Sequence, residues 1–90
     1  MDFEWDAKKA LSNLKAHRVS FKEAATVFGD PPAITFPDPD QSATERRFIT
    51  IGFASSGKLL TVAHTERGDN IRLISARKTT RAERKLYDES

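Results

Sequence analysis

Ninety residues with 15 Lys/Arg, 13 Asp/Glu and no cysteine make a small, highly charged chain of formal net charge +2. The missing cysteine excludes disulfide scaffolds, thiolate metal sites and cysteine nucleophiles, and fits a reducing compartment. No apolar run approaches the ~20 residues of a membrane span or forms a signal-peptide core, so a cytoplasmic protein with no membrane partner is expected. The charge is asymmetric: residues 1–45 hold five Lys/Arg and eight Asp/Glu, residues 46–90 ten and five, which implies one cationic face. A chain of this length buries only about 60–65% of its unfolded surface. That leaves room for a shallow surface site, and no cofactor is expected.

In chain order, Phe3-Glu4-Trp5-Asp6 leads into a first helix, with Asp6 as its cap. Ala7, Ala10, Leu11 and Leu14 recur at i, i+3, i+4 and i+7 and predict its core-facing side, while Lys9, Asn13 and His17 form a stripe opposite. Ser20 and Glu23 have capping-box spacing for a second helix, with Phe21, Ala24, Ala25 and Phe28 as its apolar face. Gly29 suits a left-handed terminator before Asp30-Pro31-Pro32. The short link predicts that the two helices pack as a hairpin.

Ala33–Phe36 is a strand candidate. Pro37-Asp38-Pro39-Asp40 turns the chain, and a polar loop runs to Glu45. Alternation predicts strands over Arg47–Ala54, Lys58–Thr65 and Asn70–Arg77, joined by turns at Ser55-Ser56-Gly57 and Glu66-Arg67-Gly68-Asp69. Thr80 and Glu83 form a second capping box, opening a helix through about Asp88. Short loops require antiparallel pairing. The predicted class is α+β: an N-terminal helical hairpin, an antiparallel meander of about four strands and a C-terminal helix. A three-residue loop in the last hairpin would set His64 opposite Arg72, and a four-residue loop opposite Ile71.

The stretch Arg72–Lys85 concentrates six cations, Arg72, Arg77, Lys78, Arg81, Arg84 and Lys85, against the single acid Glu83. Such a surface suits phosphates, although solvated strand ends and a solvated helix face would read the same way.

The motifs resemble one family across nearly the whole chain. They are F-E-W-D at Phe3–Asp6; Lys9, Asn13-Leu14 and His17-x-Val19-Ser20-Phe21; Glu23-Ala24 and Phe28-x-Asp30-Pro31; Glu45-Arg46-Arg47-Phe48; Ile51-Gly52; His64-Thr65-x-Arg67; Ile71-Arg72-x-Ile74-Ser75-Ala76-Arg77; and Glu83-Arg84-x-x-Tyr87. Together they resemble the BrnT toxins of bacterial type II toxin–antitoxin systems. The sequence departs from that pattern at Ala16, where a basic residue is usual, and at Arg18, where glycine is usual. The resemblance implies one toxin domain over residues 1–90, a RelE-like fold and a ribonuclease that stops translation. It also implies neutralisation by a BrnA-type antitoxin with a ribbon-helix-helix DNA-binding domain. The complex would hold two copies of each chain, and operator DNA would be met only through the antitoxin.

Metal-free RNA cleavage needs a base for the ribose 2′-OH, cations for the phosphorane and an acid for the leaving 5′-oxygen. His64 is the first candidate for proton transfer, since a free imidazole titrates near pH 6.5; a histidine hydrogen-bonded at the sheet edge is its ordinary alternative. His17 suits a helix C-terminus. Arg72, Arg67 and Lys9 are candidate catalytic cations. Arg77, Lys78, Arg81 and Tyr87 are candidate RNA contacts. On a regular strand residues 72 and 77 face opposite sides, which assigns Arg72 to the phosphorane and Arg77 to the RNA backbone or to anchoring the last helix. The histidines lie far apart in sequence, Asp38 and Asp40 read as turn formers, and no metal set is evident. A non-catalytic module that blocks translation or gyrase by docking is the rival reading. A DNA-binding regulator is disfavoured, because no helix-turn-helix pattern is present.

Overall fold

The computed structural model describes residues 2–40 and 45–90, so part of the polar loop expected before Glu45 lies outside the described residues. Strands form where alternation places them. β2 (Ile34–Pro37), β3 (Phe48–Phe53), β4 (Leu59–Arg67) and β5 (Asn70–Lys78) pair in succession, each antiparallel to the next. The strand β1 (Asp2–Glu4) was not expected, because three residues are too few for alternation to register. It lies parallel to β5, with Asp2, Phe3 and Glu4 opposite Asn70, Ile71 and Arg72. The sheet is therefore five-stranded and mixed, in the order β1-β5-β4-β3-β2, instead of a purely antiparallel meander of about four.

Helix α1 (Ala7–His17) starts at Asp6, whose carboxylate accepts from the Lys9 N–H at 3.2 Å, and stops at Arg18, a left-handed residue with φ 59°. Helix α2 (Phe21–Ala25) is capped by the Ser20 hydroxyl, which accepts from the Glu23 N–H at 3.0 Å. The Glu23 carboxylate turns outward to the Ser56 hydroxyl and to Lys58 at 3.8 Å, so only half of the expected capping box forms. A 3-10 turn over Thr26–Gly29 replaces the second helix's last turn. Gly29 has no positive φ, against expectation. The tighter winding buries Val27 and leaves Phe28 at the margin of the core. Helix α3 (Arg81–Glu89) has the full Thr80–Glu83 capping box.

The core lies on one face of the sheet. Leu60, Val62, Leu73 and Ala76 pack there against Val19, Phe21, Ala24 and Val27. Gly52 permits the close approach of the 3-10 turn, since a Cβ at that position would stand 2.8 Å from the Ala33 Cβ and 3.0 Å from Val27 Cγ1. Helix α1 rests mainly against β5, so the two N-terminal helices do not form a self-packed hairpin. Asn13 explains this placement. Its amide donates to the carbonyls of Ala76 (2.8 Å) and Val19 (2.9 Å) and accepts from the Ala76 N–H (3.0 Å). A buried side-chain amide thus stands in for a neighbouring strand on the β5 edge, beyond the three residues that β1 covers. Of the expected apolar side of α1, Ala10 packs against the core, while Ala7, Leu11 and Leu14 turn outward, with Leu11 61% and Leu14 44% exposed.

Helix α3 crosses the opposite face. Tyr87 packs edge-on against Phe53 at 5.6 Å, and its hydroxyl donates to Asp30 Oδ2 at 2.8 Å. Glu83 accepts from Arg77 through both oxygens, at 2.7 and 2.8 Å, and from the Thr61 hydroxyl at 3.1 Å.

Candidate active site

The β4–β5 hairpin sets the geometry of the cations. Its turn is two residues, Gly68-Asp69, with positive φ only at Gly68. Both loop lengths considered from sequence are thereby corrected. Thr65 faces Arg72 and Thr61 faces Arg77, while His64 faces Leu73, because the register shifts at Ala63/His64 and leaves Ile74 as the extra residue of a bulge. Thr61 and Thr65 share one face of the regular β4. The bulge therefore places Arg72 and Arg77 on the same face, contrary to the alternation argument. Four β4 positions still separate them by roughly 14 Å along the strand, too far to grip a single phosphate.

Arg77 is occupied by Glu83. That contact raises the guanidinium pKa and pulls the Glu83 carboxyl down to about 2. With Tyr87 held by Asp30, Arg77 and Tyr87 both anchor α3, which for Arg77 is one of the two roles expected of it. Lys78 and Arg81 line a shallow depression at the start of α3 with Lys58 and Arg84. Arg67 lies in a different depression at the hairpin tip, beside Arg46, Glu45 and Glu66. Arg72 is partly exposed and 3.8 Å from Glu4.

His64 lies on the core face, 5% exposed. Phe28 meets its ring edge-on at 4.9 Å and Phe48 stacks at 6.0 Å. Its Nε2 is 2.7 Å from Thr50 Oγ1, which is in turn 2.7 Å from Thr35 Oγ1. Burial drives its pKa down to about 4, so the ring is neutral at neutral pH. The structure thus sets His64 on the opposite face from Arg72 and away from solvent; it is hydrogen-bonded, as the alternative reading has it, but buried on the central strand β4 instead of at the sheet edge.

The expected Lys9–Asn13–His17 stripe is brought to one place, with its middle residue turned inward. Lys9, Ser12, Ala16 and His17 form one wall of a shallow notch over the Asn13 amide. The bulged Ile74 and Arg47, which just precedes β3, also line the notch. Arg47 also lies 3.6 Å from Glu45. The notch combines an imidazole, an ammonium and a guanidinium with the apolar Ile74, a set that can neutralise a phosphodiester and move a proton. Sequence reasoning ranked His17 as a helix terminator ahead of a site residue and missed Arg47, whose sole signal was its place in the motif Glu45-Arg46-Arg47-Phe48. Among the described residues, no three His, Asp or Glu gather as a metal site.

The family model described as "ribonuclease toxin, BrnT, of type II toxin-antitoxin system" matches residues 5–83. The chain belongs to the BrnT family. The fold agrees with a crystal structure of the Brucella abortus ribonuclease toxin BrnT, with a TM-score of 0.70 and 21% identity over 90% of this chain and 99% of that one. No curated protein matches the chain. The matched span of the BrnT model takes in α1, β5 and the start of α3, and so every residue of the notch.

Proposed function

We propose that this toxin is a metal-independent endoribonuclease that cleaves RNA in the cytoplasm and stops translation, acting as one RelE-like toxin domain over residues 1–90. The convergence of Lys9, His17 and Arg47 at the α1–β5 notch carries this reading. A basic group, His17, takes the proton from the ribose 2′-OH. That oxygen attacks phosphorus, Arg47 stabilises the charge growing on the phosphorane, and Lys9 protonates the 5′-oxygen as the P–O5′ bond breaks. The products are a 2′,3′-cyclic phosphate and a 5′-hydroxyl. Arg72, two residues before Ile74, adds positive charge from the same strand. Lys78 and Arg81 hold RNA backbone farther along the chain, and Arg67 supplies a peripheral contact. The partner is a BrnA-type antitoxin bearing a ribbon-helix-helix domain, in a complex with two copies of each chain that meets operator DNA only through the antitoxin.

Single-turnover cleavage of RNA in EDTA tests the reading. At saturating RNA, His17→Ala should lower the rate by about 10²-fold or more, and Arg47→Ala by about 10²–10³-fold. Wild-type rates in both variants would remove the notch from catalysis. RNA binding without cleavage by the wild-type protein would favour the docking module.

A further inference from the structure

Three of the four residues that mark the apolar side of α1 point to solvent, and only Ala10 packs against the core. Leu11 and Leu14 are 61% and 44% exposed, Ala7 is exposed one turn earlier, and Trp5, just before the helix, is 38% exposed. The rim of this ridge is cationic. Lys8 and Lys15 lie three residues before and four after Leu11, and Arg18 lies four after Leu14. Leu14, Lys15 and Arg18 line one shallow depression. None of the three cations forms an ion pair with a described residue, and no Asp or Glu occurs between Ala7 and Arg18.

Scattered surface leucines need no explanation. Here a full i, i+4, i+7 apolar stripe faces water because the Asn13 bonds to Ala76 and Val19 rotate the helix. An apolar ridge with a single-sign polar rim has the anatomy of an interface, not of a core. We infer that the Ala7–Leu11–Leu14 ridge docks an acidic amphipathic helix of the protein antitoxin, with that helix's apolar side on the leucines and its carboxylates on Lys8, Lys15 and Arg18. Charge complementarity selects this occupant. A second copy of the chain in a two-fold dimer would bring two cationic rims together. RNA would find aliphatic leucines along the helix and one aromatic, Trp5, which is itself packed edge-on against Phe21, where single strands prefer successive stacking surfaces. The inference rests on the toxin reading for the existence of the antitoxin, and it leaves the notch to RNA.

The test is calorimetric titration of purified toxin with its antitoxin, alongside RNA cleavage by the free toxin. The double substitution Leu11→Gln/Leu14→Gln keeps helix propensity and removes the ridge. It should weaken antitoxin binding by about thirtyfold or more, the loss of one interface hot spot, while RNA cleavage stays at the wild-type rate. Lys8→Glu/Lys15→Glu should also weaken binding, with a reduced salt dependence. Wild-type affinity in the leucine variant overturns the proposal. So does a wild-type toxin dimer in light scattering that the same variant abolishes, which would make the ridge a self-interface. Loss of RNA affinity with antitoxin binding intact overturns it as well. If the wild-type toxin cleaves no RNA, the ribonuclease reading fails while the binding result stands by itself.

Discussion

Arg18 is the only non-glycine residue with positive φ among those described. Its left-handed backbone closes α1 through a 2.9 Å bond from its N–H to the Leu14 carbonyl, at the position where the family resemblance leads one to expect glycine. A Cβ in that conformation costs about 1–2 kcal/mol. Arg18→Gly should therefore stabilise the protein by about 1 kcal/mol, read as a melting temperature raised by roughly 4–8 °C. His64 gives a second test at this scale. Its folded pKa, about 4, lies below the ordinary value of 6.5, so the unfolded chain binds a proton first as pH falls. The neutral ring's contribution is complete above about pH 6.5 and is withdrawn down to about pH 4, up to about 3 kcal/mol in all. Urea titrations at pH 7 and pH 4.5 should show this loss in the wild type and much less of it in His64→Asn. That His64 could be hydrogen-bonded within the sheet was legible in the sequence. The burial of His64 was not, because it is made by Phe28 from a 3-10 turn and Phe48 from another strand.

Among the elements, helix N-caps were the most legible features. Asp6, Ser20 and Thr80 all accept from the N–H three residues on, and Asp38 Oδ1 accepts from the Asp40 N–H at 2.9 Å as a turn former does. What periodicity could not show was the orientation of α1, since one buried amide outweighs two leucines. Asn13→Ala leaves three buried backbone groups without partners and should cost about 2–4 kcal/mol in urea unfolding. The attachment of α3 is separable from this. No residue of α3 is buried, and the helix is held through Glu83 and Tyr87. Glu83 has a depressed folded pKa, so its contribution is present above its unfolded value and is lost as pH falls towards about 2. A Glu83/Arg77 double-mutant cycle should give a coupling of about 1 kcal/mol, discounted for the partly exposed guanidinium. The coupling should vanish below about pH 2.

For the whole molecule, the fold class and the cationic second half were readable from patterning and charge. The notch was not, because it assembles α1, the residue just before β3 and a bulge whose register only the folded hairpin decides. The charge asymmetry has a measurable consequence. If Lys78 and Arg81 each neutralise one phosphate, changing either to Gln should lower the slope of log K against log salt by about 0.7 for single-stranded RNA and leave the saturated cleavage rate unchanged. An unchanged slope would take that depression out of the RNA path.

Asn13 also guards a strand edge. A β-strand edge with free N–H and C=O groups is a template on which another chain can add a strand, and proteins guard such edges. Here β1 covers β5 only opposite Asn70–Arg72, and the Asn13 side chain fills the next open place at Ala76. Removing that amide exposes a strand already shaped for pairing, with the bulge at Ile74 as the sole interruption before it. The hazard in such a variant is therefore edge-to-edge assembly from a still-folded molecule, which should appear as concentration-dependent oligomers below the unfolding temperature.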